Sequence, residues 1–347
     1  MDRERYRALP KVLLHDHLDG GLRPETVLEL AEQAGYESLP ATDLEGLADW
    51  FDQSGSGSLP RYLEAFRHTV AVLQTADAIE RVAYEAVLDL AADGVVYAET
   101  RFAPSLLTAG GLDRHRVVEA ALAGLEQGQG ETGTVARLII DAMRQDDDAD
   151  EVAEVALRFR HRGVVAFDLA GPELGYPADR HLSACRMVRE AGLGLTLHAG
   201  EADGPHSIWV ALQRCGAHRI GHGVRIVEDT KRLEGEIAEL GRLASYVRDR
   251  RIPLEVCLTS NLQTGGWTAD QHPVGALHRA GFAVTLNTDN RLMSATSMTQ
   301  EFALAAQHHR FGLDDLRVVT ETAIQAAFCD RPTRQAILHD RIEPAYD

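Results

Sequence analysis

Eight short runs rich in Val, Leu and Ile, most of them followed by a helix-length amphipathic stretch, predict an α/β chain. Their spacing of roughly 25–40 residues from the second run onward is the repeat of a closed (β/α)8 TIM-type barrel. Two more observations complete the plan. Residues 24–92 interrupt the repeat with helical patterns, and side chains able to bind metal or move protons recur where the runs end. The expected architecture is a barrel with extra helices inserted after strand 1 and a helical C-terminal segment.

The charged start, Met1 to Arg7, is expected to lead directly into the first strand at 11–15. The remaining strands are expected at 94–100, 135–141, 163–169, 192–198, 217–222, 252–258 and 281–288, each short and apolar enough to be buried on both faces. Amphipathic periodicity predicts helices over 113–127, 148–162, 179–191 and 236–250. Within the insertion, Pro24 suits the first turn of a helix, and two more helices follow at 59–75 and 76–92. Ser54 to Ser58 is a flexible break too short to separate domains. Residues 294–341 read as wholly helical. The whole chain, 1–347, is expected to be one domain, with 24–92 forming a helical cap beside the barrel mouth.

Composition narrows the partners. The chain of 347 residues is 45% hydrophobic and 25% charged, which is ordinary for a globular protein. A net charge of −18 argues against a nucleic-acid or anionic-membrane partner, both of which select basic surfaces. No run approaches the roughly 18 apolar residues of a membrane span, and no signal-peptide core follows the N-terminus. Cys185, Cys215, Cys257 and Cys329 form no CxxC pair and read as reduced, buried thiols. A cytoplasmic location is therefore expected, while nothing in the pattern selects an oligomeric state.

Four motifs carry chemistry: His15-Asp16-His17, His198-Ala199-Gly200-Glu201, Gly221-His222-Gly223 and Asn287-Thr288-Asp289-Asn290. His15 and His17 are two apart, so an extended chain points both to one face. Either histidine alone could be a core residue, and Asp289 alone could cap a helix. Convergence of several such residues at strand ends instead predicts a metal site formed by His15, His17, His198 and Asp289. One Zn2+ per chain suits this nitrogen-rich set, with water as a further ligand made acidic by the metal. His222, with small neighbours on both sides, is a candidate to orient that water and take its proton. Glu201 is placed to give a proton to a substrate atom beside the metal; its competing role is a first-turn glutamate complementing a helix dipole.

Absences matter as well. The fourth strand ends Phe167-Asp168-Leu169-Ala170-Gly171 without the lysine that often bridges two metals, so one metal is expected. Neither a phosphate-binding Gly-x-x-x-x-Gly-Lys-Ser/Thr loop nor a Gly-x-Ser-x-Gly nucleophile elbow occurs.

The motifs together, with Leu14-His15-Asp16-His17-Leu18-Asp19-Gly20, Phe167 to Glu173, Ser260-Asn261 and Asn287-Thr288-Asp289, resemble the adenosine deaminase family of the amidohydrolase superfamily, in its bacterial branch. The resemblance extends from about residue 9 through the C-terminal helices and implies hydrolytic loss of ammonia from a 6-aminopurine. By the family's pattern, Glu201 protonates purine N1, and a metal-activated water guided by His222 and Asp289 adds at C6. The same pattern assigns substrate contacts to His17, Asp19 for the ribose 5′-hydroxyl, the Gly171 amide for N3, and Asn290 for N7. Relatives acting on free adenine carry glutamate where Asp19 stands, so a purine nucleoside is the implied partner, adenosine or 2′-deoxyadenosine first.

Three positions depart from the pattern. Asn290 replaces an aspartate, but its amide donates at any pH. Pro172 removes one amide beside Gly171. Leu258 and Thr259 replace a proline-containing turn. The second and third changes reshape the ribose side and leave a modified adenosine nucleoside, such as 6-amino-6-deoxyfutalosine, as the alternative substrate. A different metal-dependent amidase or a non-catalytic nucleoside-binding protein fits less well, because the ligand set and Glu201 are all present.

Overall fold

The structure, a computed structural model, describes residues 2–346. Ten strands form: β1 Lys11–His17, β2 Val95–Phe102, β3 Val135–Met143, β4 Val164–Ala170, β5 Gly194–Ala199, β6 Arg219–His222, β7 Thr230–Leu233, β8 Glu236–Leu240, β9 Leu254–Val256 and β10 Val284–Leu286. Eight of them pair in parallel in the order β1-β2-β3-β4-β5-β6-β9-β10. The circle closes where the Asp289 amide donates to the His15 carbonyl at 3.0 Å and the His17 amide to the Asp289 carbonyl at 2.7 Å. This is the (β/α)8 TIM-type barrel, and the closing seam brings the first and last motifs side by side.

Helices surround the sheet. Pro24–Ala34 begins on its proline and stops at Gly35, whose left-handed φ of 63° suits glycine. Within 24–92 further helices span Leu44–Phe51, Leu59–Leu63, Phe66–Val72 and Ala76–Ala92. The last of these presses closely on Arg114–Thr132. A Cβ at Gly124 would lie 2.1 Å from the Glu80 carbonyl oxygen, and one at Gly128 would lie 2.6 Å from the Val87 Cβ. Small residues at i and i+4 thus allow the two backbones to approach, fixing the inserted helices to the barrel wall. Leu59, Tyr62 and Val72 are buried, so this layer joins the main core.

Several boundaries differ from the sequence reading. A short helix, Arg3–Ala8, precedes β1 instead of the chain entering the strand directly; Asp2 caps it by accepting the Arg5 amide at 2.9 Å. Residues 236–250 are not one helix. Glu236–Leu240 pairs antiparallel with Thr230–Leu233, and only Arg242–Asp249 is helical. The turn explains the difference: Glu234 and Gly235 have φ of 52° and 87°, values that fold a chain back on itself. The C-terminal segment is helical but broken, at Arg310–Gly312 and at Ala327–Asp330. The run 252–258 yields only the three-residue strand Leu254–Val256, and the helix Leu258–Thr264 starts two residues after it. All four cysteines are free and buried. Among the described residues no helix is long and apolar enough to cross a membrane.

Candidate active site

β1 delivers His15 and His17 to the same side of the barrel mouth, β5 carries His198 one residue before its end at Ala199, and Asp289 follows β10. One ligand atom from each of these four residues lies within 4.8 Å of all the others. Asp289 Oδ1 is 3.2 Å from His15 Nε2 and 3.5 Å from His17 Nε2, while His17 Nε2 is 3.3 Å from His198 Nε2. The other ring nitrogens are turned toward carboxylates: His15 Nδ1 is 3.0 Å from Glu255 Oε2, and His198 Nδ1 is 2.9 Å from Asp168 Oδ2. Carboxylates on the Nδ1 side favour the tautomer whose Nε2 lone pair faces the centre. His15 Nε2 is buried and has no hydrogen-bond partner. Imidazole lone pairs converging with a carboxylate repel one another unless a cation lies among them, so this donor set fits a metal ion.

A ladder of buried charge supports these ligands from below. Glu255 Oε1 accepts from Arg219 Nε at 2.6 Å and its Oε2 from Arg101 Nη2 at 2.9 Å. Arg101 Nη1 also donates to Asp168, and Arg219 Nη2 donates to Glu99 at 2.6 Å. Burial alone would raise the Glu255 carboxyl, but the two guanidiniums overcome it and hold it well below the usual range. A metal ligand anchored in this way has little freedom to rotate.

Glu201 lies in the turn after β5, before the helix Pro205–Trp209 begins, so it is not a first-turn glutamate. The turn is organised by Glu173, whose carboxylate accepts the amides of Gly200, Glu201, Ala202 and Asp203 at 2.6–3.1 Å. Glu201 Oε1 accepts from Thr264 Oγ1 at 2.8 Å, and its Oε2 lies 3.6 Å from His222 Nε2. Burial, then the nearby Asp289 charge, push the Glu201 carboxyl up to about 7. Asp289 goes the other way. Burial opposes its ionisation, yet the surrounding histidines hold it well below the normal carboxylate range. Two acids in one site are thereby driven apart, one toward the protonated form and one toward the ionised form.

His222 and Asp289 both have left-handed backbones, with φ of 61° and 60°. Non-glycine residues in that region store strain, which at a site maintains an otherwise unfavourable aim. His222 is further oriented by a chain of donors. The Val274 amide donates to His272 Nδ1 at 3.2 Å, which leaves the ring proton on Nε2 to face Asn261 Oδ1 at 3.3 Å. Asn261 Nδ2 then donates to His222 Nδ1 at 3.0 Å. The neutral His222 ring therefore carries its proton on Nε2, toward Glu201. Its Nε2 is thus a donor toward the cavity, whereas the sequence reading has His222 accepting a proton. Burial depresses its basicity to about 4.

These groups open on a cavity of about 340 Å3, roofed by Leu59, Leu63 and Phe66 from the inserted helices. Asp19, Gly171, Pro172 and Asn290 all line it. Asp19 is buried in the single turn Leu18–Gly20, and burial raises its carboxyl to about 7. Leu258 is buried in the hydrophobic core and does not line the cavity. Glu255 and His272 carry no motif signal, although Glu255 is a charge inside an apolar strand, Leu254-Glu255-Val256. Such a residue can be retained only if a partner awaits it inside.

Comparison with known proteins agrees with this geometry. The family model described as adenosine deaminase matches residues 10–344. The chain is 51% identical to adenosine deaminase 1 of Streptomyces coelicolor over 352 residues, covering 99% of this chain and 88% of that protein. An adenine deaminase of Arthrobacter aurescens superposes with a TM-score of 0.86 at 26% identity, covering 97% of this chain and 98% of that one. An amidohydrolase of Burkholderia ambifaria with bound zinc gives a TM-score of 0.87 at 25% identity, over 99% and 92% of the two chains.

Proposed function

The chain belongs to the adenosine deaminase family, and from that premise we propose that it hydrolyses adenosine and 2′-deoxyadenosine to the 6-oxopurine nucleosides with release of ammonia. The supporting observation is one buried carboxyl raised to about 7, Glu201, beside an ionised one, Asp289, at a three-histidine cluster. His15, His17, His198 and Asp289 would hold one zinc ion. When bound, such a metal makes water available as a nucleophile near neutral pH.

The remaining work belongs to the chain's own side chains. Glu201 donates its proton to purine N1, which drains electron density from C6 and weakens ring aromaticity there. This assistance is greatest in the transition state, where it lowers the barrier. Asp289, ionised and accepting from Ser260 Oγ at 2.6 Å, takes the proton released by the incoming water. His222 donates from Nε2 to hold the oxygen that replaces the amino group. Asp289 passes the proton it took to the departing amino group and the water's second proton returns to Glu201, so purine–NH2 plus water gives 6-oxopurine plus NH3 with no outside proton consumed. Asn290 and the Gly171 amide would meet N7 and N3, while Asp19 would take the 5′-hydroxyl. Leu59, Leu63 and Phe66 exclude water from the face of the base, strengthening each polar contact beneath.

Ammonia release from adenosine by metal-analysed protein tests this reading. Rapid turnover with about one zinc per chain is the expected result. No turnover of adenosine by fully metallated protein would overturn it.

A further inference from the structure

Candidate metal ligands stand on both sides of the seam where the barrel closes: His15 and His17 on β1, and Asp289 beyond β10. The seam itself has little backbone pairing. β10 stops at Leu286, and the Leu14 amide donates at 2.9 Å to the Asn287 side-chain oxygen instead of to a main-chain carbonyl. Asp289 makes the bridge to β1, and its left-handed φ of 60° is costly for a residue with a Cβ. Such a conformation persists only where the surroundings over-determine it.

Asp16 supplies a restraint of that kind. It alternates with the two histidines, so its side chain leaves the opposite face of β1, away from the cluster. Although fully buried, it lies outside the active-site cavity, as does Arg291. Asp16 Oδ1 accepts from Thr288 Oγ1 at 2.9 Å and from Arg291 Nε at 2.9 Å. One carboxylate thus grips the residue before Asp289 and the residue two after it. Arg291 is held in turn. Its Nη1 lies 3.9 Å from Asp89 Oδ2 on the helix Ala76–Ala92, and Gly21 leaves room for its Nη2, because a Cβ there would come within 2.5 Å.

We infer that Asp16 and Arg291 are positioning residues that clasp the seam, keep Asp289 aimed at the three histidines and thereby slow the loss of bound metal. The inference rests on the proposed reading of His15, His17, His198 and Asp289 as metal ligands. A charge-assisted bond suits the task, being stronger than a neutral one and directional through the planar guanidinium. Without it, the turn through 288–291 is free to relax from its left-handed residue. That movement would carry Asp289 Oδ1 away from His15 Nε2 and His17 Nε2, from which it now stands 3.2 and 3.5 Å. Asp16 in the first motif and Arg291 just past the last motif are therefore one unit, joined only when the barrel closes.

The test follows metal release from zinc-loaded protein to excess chelator, beside the visible absorption of cobalt-loaded protein, which reports ligand geometry. Arg291→Met keeps the stem and removes the guanidinium; it should release metal about 10- to 100-fold faster and shift the cobalt bands. Arg291→Lys, whose ammonium can still reach Asp16, should bring release back to within about threefold of wild type. Thr288→Val is isosteric but lacks the donor hydroxyl. It should speed release about 3- to 10-fold, and it decides the question if Arg291→Met does not fold. Wild-type release and cobalt spectra in folded Arg291→Met, even with lowered unfolding stability, would make the pair a structural brace. That result would overturn the inference while leaving the metal reading intact. A wild-type protein that takes up no metal would overturn the reading and this inference together.

Discussion

The barrel carries concavities at both ends, and the larger one lies away from the histidine cluster. At the N-terminal ends of β3, β4 and β5 an open groove of about 1130 Å3 is lined by Arg137, Arg160, His161 and Arg162. Three of its arginines have partners within the protein. Arg137 donates to Gln129 at 2.9 Å, Arg160 to His161 at 3.0 Å, and Arg162 to Glu119 at 3.4 Å. The cavity at the opposite end is about 340 Å3, yet it contains His222 Nε2, Asp19 Oδ1 and Gln145 Oε1, all buried and without hydrogen-bond partners. Size measures how loosely helices cover a barrel end. Buried, unsatisfied and electrostatically strained groups mark function, because their cost is tolerated only where a ligand or reaction offsets it.

Breaking the C-terminal site should therefore be far more damaging than altering the N-terminal groove. The largest effect is expected for Asp289→Ala: bound metal falls well below one per chain and kcat/KM drops at least about 10³-fold. Metal analysis beside the assay checks both, and a fully metallated, active variant would remove Asp289 from the ligand set. Next comes Glu255→Gln, which touches no ligand cavity but strips charge from the ladder under His15. Metal affinity should weaken about 10- to 100-fold through loss of second-sphere anchoring. Chemical denaturation should also show a loss of about 3–5 kcal/mol, since Arg101 and Arg219 lose a shared buried counter-ion. Wild-type metal affinity in this variant would show that the ladder serves stability alone. The smallest effect belongs to Arg160→Ala with Arg162→Ala. Both residues are exposed, and activity should stay within about twofold of wild type. A large drop in kcat/KM would mean that the groove is coupled to the site after all.

The same contrast explains what the sequence made legible. Histidines two apart on β1 and single acids or bases at later strand ends stand out, because barrel geometry places strand termini on one rim. The eight barrel strands were readable for a related reason: two-sided burial leaves apolar runs that few loops imitate. Glu255, Asn261 and His272 were not assigned roles, since each acts through another residue. Their partners, Arg219, His222 and the Val274 amide, are brought to them only by the closed fold. Glu236–Leu240, the second strand of the hairpin, falls in the stretch 236–250 that reads as helix, because the reversal before it depends on two left-handed residues, Glu234 and Gly235, rather than on periodicity. The proton on His222 Nε2 was likewise beyond reach, being decided by a backbone amide fifty-two residues downstream, at Val274, through two intervening side chains.

The central claim is that Glu201 supplies a proton to the purine while the metal site stands independently of it. Replacing it with glutamine, measuring metal content and kcat on adenosine with the same preparation, tests that claim most directly. The metal should remain at the wild-type level while kcat falls about 10²- to 10⁴-fold, the contribution of one general acid. Near-wild-type kcat, or loss of the metal along with activity, would contradict it and make Glu201 a structural support of the cluster.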